Sequence, residues 1–194
     1  MRRQLKRTYH VTSRDLPLAK RLRRVEQQAY RNRAEMQTVT VSLSGSIVGA
    51  TRTLLKPCST LIAGSGVSER KGDKIRVFRI EVRGTLDNNL DGYILSKKTS
   101  TDPTTAIFGG AKGAYILDSE NTNRFTEWVH TRSSQIGTSA PFKMNKSFKG
   151  GMLVSYNGAG TNATVNNEPI AVILNTTGTT YSADLSCRVW YTDA

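Results

Sequence analysis

The chain has 194 residues, with 28 Lys and Arg against 15 Asp and Glu, a formal net charge of +13. No stretch approaches the ~20 consecutive apolar residues of a membrane-spanning helix, and two cysteines and two histidines are too few and too scattered for a zinc cluster. That length suits one domain with an extension, and that charge points to a polyanionic partner, either nucleic acid or an anionic membrane.

The charge is unevenly shared. Residues 1–33 hold eleven cations (Arg2, Arg3, Lys6, Arg7, Arg14, Lys20, Arg21, Arg23, Arg24, Arg31 and Arg33) against Asp15 and Glu26, so 11 − 2 = +9. Residues 34–194 hold 17 − 13 = +4. The division predicts a basic N-terminal arm over 1–34 and a body over 35–194. Within the arm, residues 1–12 lack apolar periodicity and are expected to be a disordered tether. A helix is predicted over 15–33, with Ser13 or Asp15 as cap and Pro17 in its first turn. Leu18, Leu22, Val25 and Ala29 form one narrow apolar stripe on it, with cations around them. A helix this short is marginal in water and needs a partner: the body, copies of itself or a polyanion. No secretory apolar core precedes it, so the chain is expected to be intracellular and unprocessed.

From Met36 the pattern changes to period two. MQTVTVSL alternates Val39 and Val41 with Thr38 and Thr40. DKIRVFRIEVRGTL, residues 73–86, puts Ile75 and Val77 on one parity and Ile80 and Val82 on the other, which predicts a bulge near Phe78. GMLVSYNG from Gly151, the apolar run PIAVILNTT and the alternating DLSCRVWYTDA complete the clear strands. Weaker strands are expected at 46–55, 92–98, 114–118 and 124–133. Eight or nine short strands joined by Gly- and Asn-rich loops predict an all-β antiparallel sandwich, of Greek-key or jelly-roll topology.

No catalytic constellation stands out, and the chain is expected not to be an enzyme. Glu127 and His130 would point to opposite faces of one strand, so His130 is read as a structural or surface residue. GGAKGAY lacks phosphate-loop spacing. Cys58 and Cys187 are read as buried thiols. The sequons at Asn145, Asn162 and Asn175 are read as chance matches.

Four segments, in order, resemble the coat proteins of satellite tobacco necrosis virus and its relatives. RKGDKIRVFRIEVRGT is similar to that family's R-x-G-D-x-[IV]-R start and V-R-G-T end, although the interval between those two ends is about two residues shorter here. NTNRFTEWV resembles its segment centred on R-F-T, MLVSYNGA its L-V-x-Y-N-G-A, and VWYTDA its closing Y-T-D-A. The capsids of small circular single-stranded DNA viruses share the R-x-G-D-K-I strand and the terminal Tyr–Asp.

The resemblance implies a single eight-stranded antiparallel jelly-roll sandwich packed as sixty copies into a T=1 icosahedral shell. The basic arm would face a single-stranded genome, and Leu18, Leu22, Val25 and Ala29 would associate with neighbouring copies. Eleven arm cations on phosphate give a salt slope of about −8, at roughly 0.7 per single-strand phosphate. The family also binds calcium between subunits. By position the matching residues are Asp193, Glu26 late in the arm helix, and the carbonyls of Lys71 and Lys74. Carboxylate and carbonyl oxygens suit Ca²⁺; the lysines would repel it unless their ammonium groups point away. The plain alternative is that Glu26 and Asp193 pair with Lys or Arg across an interface. No other cofactor, no small-molecule substrate and no membrane partner is expected. A virion location is implied, with the host cytoplasm or nucleus before assembly, and RRQLKR and KRLRR also suit a nuclear import signal.

The competing expectation is a cellular RNA- or DNA-binding protein with a basic tail on a β-sandwich. Such a binder should interleave basic and aromatic residues on a strand face, whereas the body here reads as poor in aromatics with neutral loops.

Overall fold

Period-two alternation sends one face of a strand into a core and the other into water, and the body folds on that rule. The computed structural model describes residues 36–48, 51–64, 69–87, 90–99, 101–103, 123–132, 140–158, 164–175 and 179–194, together with Lys20. The chain divides into two units, Met1–Glu35 and Met36–Ala194. Of the first, Lys20 is exposed and has helical backbone; the other residues expected in the tether and helix lie outside those described. So does the strand expected at 114–118.

Nine strands run through the described residues: β1 (Gln37–Ile47), β2 (Arg52–Leu55), β3 (Lys74–Leu86), β4 (Leu90–Lys97), β5 (Phe125–Arg132), β6 (Ala140–Asn157), β7 (Thr164–Asn166), β8 (Pro169–Asn175) and β9 (Tyr181–Asp193). They form two antiparallel sheets, ordered β1-β9-β3-β6-β7 and β2-β8-β4-β5. Leaving the three-residue β7 aside, partners are nested: β1 with β9, β2 with β8, β3 with β6 and β4 with β5. Among those eight strands, every connection crosses between the sheets except the one from β4 to β5. The fold is an all-β sandwich.

The main core lies between the sheets. Ile75, Val77, Ile80, Val82 and Leu86 of β3 meet Leu90 and Ile94 of β4, Ala171 and Ile173 of β8, and Leu185, Cys187 and Val189 of β9. A second apolar cluster occupies the other face of the four-stranded sheet, built on Tyr93, Leu95, Phe125, Ile170, Val172 and Leu174. Strands buried on both faces read as continuous apolar runs, which is why PIAVILN does not alternate.

The bulge falls at Phe78. Pairing with β9 steps from Val77↔Tyr191 to Arg79↔Trp190, and pairing with β6 steps from Val77↔Met152 to Arg79↔Ser147. On the β6 side, Phe148 to Gly151 lie opposite Phe78, and Gly150 and Gly151 both take φ of 80°. That conformation is open to glycine and strained for other residues.

Two strand boundaries differ from the sequence expectation. β6 starts at Ala140, where a strand was expected only from Gly151. Phe142 and Met144 do alternate with Lys143 and Asn145 there, but KMNKSFKGG looks like a loop because its outward residues are Lys and Asn and it ends on two glycines. β7 lies inside NGAGTNATVNNEP, which was expected to be loop throughout.

Cys58 and Cys187 are free and buried, as expected. Burial pushes both thiols up from their ordinary pKa, and the nearby Glu168 carboxylate adds to this. Among the sequons, Asn175 is buried, its amide donating to the carbonyls of Ile47 and Thr179.

Gly84 tests the β3–β9 packing. It has φ of 148°, and a Cβ there would stand 1.9 Å from the Asp184 carbonyl oxygen. Gly84→Ala should destabilise the protein by about 2–4 kcal/mol, the range for a strained backbone position in a packed sheet. Urea unfolding checks this, and an unchanged midpoint would show that β3 and β9 separate freely at this position.

Candidate nucleic-acid interface

Because β3 reverses parity at Phe78, the residues after it that face away from the core are Arg79, Glu81 and Arg83. The pairing of β1, β9, β3 and β6 lays them out in rows across the outward face. One row is Thr38, Trp190, Arg79, Ser147; the next is Thr40, Arg188, Glu81, Asn145; the third is Ser42, Ser186, Arg83, Lys143. None of these twelve side chains is aliphatic. Four cations and one acid give 4 − 1 = +3, so most of the body's +4 is concentrated here.

Glu81 organises the cations. Its carboxylate accepts from Arg79 Nη2 on one side and Arg83 Nε on the other, and the residue is only 6% exposed beneath them. The Arg83 side chain remains 60% exposed, and Arg188 is exposed as well. Arg188 Nε donates to Thr40 Oγ1 at 3.1 Å. Two guanidiniums approach Trp190, Arg79 at 5.0 Å and Arg188 at 5.9 Å from its ring centroid. Such cation–π contacts attract the guanidiniums to the ring and order the side chains together.

The sheet face sets one aromatic, Trp190, among basic residues, a local arrangement that the reading of the body as poor in aromatics did not anticipate. The signal was present in R-x-x-R-x-E-x-R on β3 and in R-V-W on β9, at positions facing the same way. What the sequence could not supply was the register that sets Trp190 against Arg79.

A second cluster of charge among the described residues is built on the buried Lys97 and Glu168. Glu168, 0% exposed, accepts from Ser59 N–H and Oγ–H, each at 2.8 Å, and from Lys97 Nζ at 3.1 Å. Lys97 also reaches Asp102 at 2.9 Å, and Asp102 is held by Lys56 at 2.7 Å. Burial alone would lower the Lys97 pKa, but the Glu168 and Asp102 carboxylates outweigh it and hold the ammonium above its ordinary value. Burial alone would raise the Asp102 pKa, but hydrogen bonds from Lys56 and Lys97 outweigh it and keep the carboxyl below its usual range. This chain of alternating charges ties β4, β8 and the turn after β2 together.

Of the residues assigned to calcium, Lys71, Lys74 and Asp193 meet at one corner. Asp193 Oδ1 accepts from the Lys71 amide at 2.9 Å, Asp193 pairs with Ile75, and the Lys74 carbonyl accepts from Ala194 N at 3.3 Å. Lys71 and Lys74 are exposed. Glu26 lies outside the described residues, as do Leu18, Leu22, Val25, Ala29 and every arm cation except Lys20. Among the described residues, no three His, Cys, Asp or Glu side chains converge as a metal site of those ligands requires.

Arg70 locks the same corner. It is fully buried, lies 4.1 Å over the Tyr156 ring, and donates to the carbonyls of Gly72 and Gly158. Tyr156 in turn donates to the Cys58 carbonyl at 3.0 Å, and its amide donates to the Asp73 carbonyl at 2.8 Å. His130 is paired with Asp91 at 3.1 Å and stacked on Tyr93, with 4.3 Å between ring centroids; Glu127 plays no part in that pair. GGAKGAY lies outside the described residues.

No protein-family model matches the chain, and no curated protein matches it in sequence.

The buried charges make a stability prediction. Glu168→Ala leaves Lys97 and Ser59 without their buried acceptor and should cost about 3–5 kcal/mol. Asp102 has a depressed folded-state pKa, so its contribution is present above the ordinary carboxylate value of ~4 and lost as pH falls through the lower folded value. Stability measured by urea unfolding should therefore drop below about pH 4, and Asp102→Asn should flatten that drop. An acid limb identical in the variant would show that Asp102 contributes nothing.

Proposed function

We propose that this chain is a structural capsid protein. It assembles into a small icosahedral shell of sixty copies and packages a single-stranded genome through its basic arm, with the virion as its final location. The nested pairing of β1–β9, β2–β8, β3–β6 and β4–β5 supports the jelly-roll reading, since a long antiparallel hairpin rolled into two sheets nests first with last and fourth with fifth. β7 is then an addition at one sheet edge.

The observation that carries the proposal is the corner where separate motifs meet. RKGD, the YNG of β6 and the closing YTDA lie far apart in the chain, yet Arg70, Asp73, Tyr156, Gly158, Lys71 and Asp193 bond to one another there. Three of the four segments that carry the resemblance therefore share one structural task. Arm residues with +9 supply sequence-independent affinity for phosphate by releasing counterions.

Calcium belongs to the proposal as a bridge between subunits. Asp193 meets Lys71 and Lys74 at one corner; its carboxylate and the carbonyls of those two lysines would be hard oxygen donors, to which the resemblance adds Glu26. Chelation with EGTA should lower the melting temperature of assembled particles, and Asp193→Asn should abolish that dependence. Particles indifferent to EGTA would remove calcium while leaving the shell standing.

A second reading is favoured by the basic, Trp-bearing sheet face: a cellular nucleic-acid-binding protein that works as a soluble monomer. Negative-stain microscopy of the purified chain separates the two, since the capsid reading predicts uniform small particles and a particle-free monomer would sink it. In particles, deletion of residues 1–33 should leave a β-rich body by circular dichroism and sharply reduce packaged nucleic acid. Unchanged packaging would reassign the arm.

A further inference from the structure

We infer that the outward face of β1, β9, β3 and β6 is a second binding surface for single-stranded nucleic acid, with Trp190 as a base-stacking platform and Arg79, Arg83, Arg188 and Lys143 as phosphate contacts. The inference rests on the packaging proposal for the identity of its occupant, and on the face itself for its chemistry. It goes beyond the arm, which offers charge alone.

Charge complementarity selects the occupant. The three rows carry +3 with Thr, Ser and Asn in every other position but that of Trp190, so the face has too little apolar area to bury against a second copy. A second copy of the same face would also set cations against cations. A polyanion with flat apolar groups matches both features. Bases in a duplex are already stacked on each other, whereas a single strand offers free faces to an aromatic ring. Trp190, half-buried and braced by Arg79 and Arg188, keeps its ring ordered before the strand arrives, which lowers the entropy lost on binding. Glu81 has a positioning role, fixing the two β3 guanidiniums along the strand.

The test uses the full chain carrying Trp128→Phe, so that fluorescence reports on Trp190 alone. Trp128 lies outside the face, donating to Ser96 Oγ at 3.0 Å. Oligothymidylate and an abasic deoxyribose-phosphate oligomer of equal length are the two probes. The arm should bind both. Only oligothymidylate should quench Trp190, and Trp190→Leu should weaken its binding roughly 5- to 150-fold, the range for loss of one stacked base, with abasic binding unchanged. Arg83→Ala with Lys143→Ala, both at exposed positions, should reduce the salt slope by about 1.4. Equal quenching by both probes, or a salt slope unaltered in the double variant, overturns the inference. Base-specific quenching by a chain that forms no particles supports this surface and defeats the shell; particles without it do the reverse.

Discussion

In a β-strand the two faces alternate residue by residue, so one extra residue reverses every side chain beyond it. In β3 that residue is Phe78. Before it, Ile75 and Val77 face the core; after it, Ile80, Val82 and Leu86 do, and all five are 0% exposed. Without the bulge those last three would face water, forfeiting about 1.5–3 kcal/mol each. Arg79, Glu81 and Arg83 would then enter the sandwich, where unpaired charge is far more costly. β3 lies between β9 and β6, so both neighbours must take up the same step. β9 runs straight on from Tyr191 to Trp190 with no extra residue, while β6 turns through Gly150 and Gly151. The core of the larger sheet and its basic face are therefore two consequences of one backbone irregularity.

Much of this was legible because alternation is a local signal. β1, both halves of β3 and β9 stand in the sequence with their inward residues marked, β8 stands as an unbroken apolar run, and the parity switch in IRVFRIEV gives away the bulge. The first half of β6 was hidden by Lys, Asn and a glycine pair that look like loop composition. The charged network was hidden for another reason: Ser59, Lys97, Asp102 and Glu168 come from separate stretches, and nothing in any one of them marks its acid or base as buried. Lys97 and Glu168 look like ordinary surface residues until β4 and β8 pair.

The candidate site divides the same way. The arm's cations are visible as composition, because electrostatic affinity for phosphate needs number rather than geometry. The sheet face needs geometry. Trp190 is one aromatic among polar neighbours until the register puts Arg79 beside it, and Glu81 is one acid among cations until two guanidiniums close over it. On the proposed reading the two surfaces share the work: a loosely specified arm neutralises charge, and an ordered face accepts bases. The corner built by Arg70, Tyr156 and Asp193 holds the ends of β3, β6 and β9 together, so a strand bound along the face would meet a rigid sheet.

The central claim is that copies of this chain close into one shell of fixed number. Native mass spectrometry of the assembled material, after nuclease treatment, measures that number directly. At 21.4 kDa per chain, sixty copies amount to about 1.3 MDa of protein in a closed, symmetric assembly. A discrete species at that mass, above which nothing grows, is the result the account predicts. A single species at the mass of one chain, or a continuous ladder with no closed end, would contradict it.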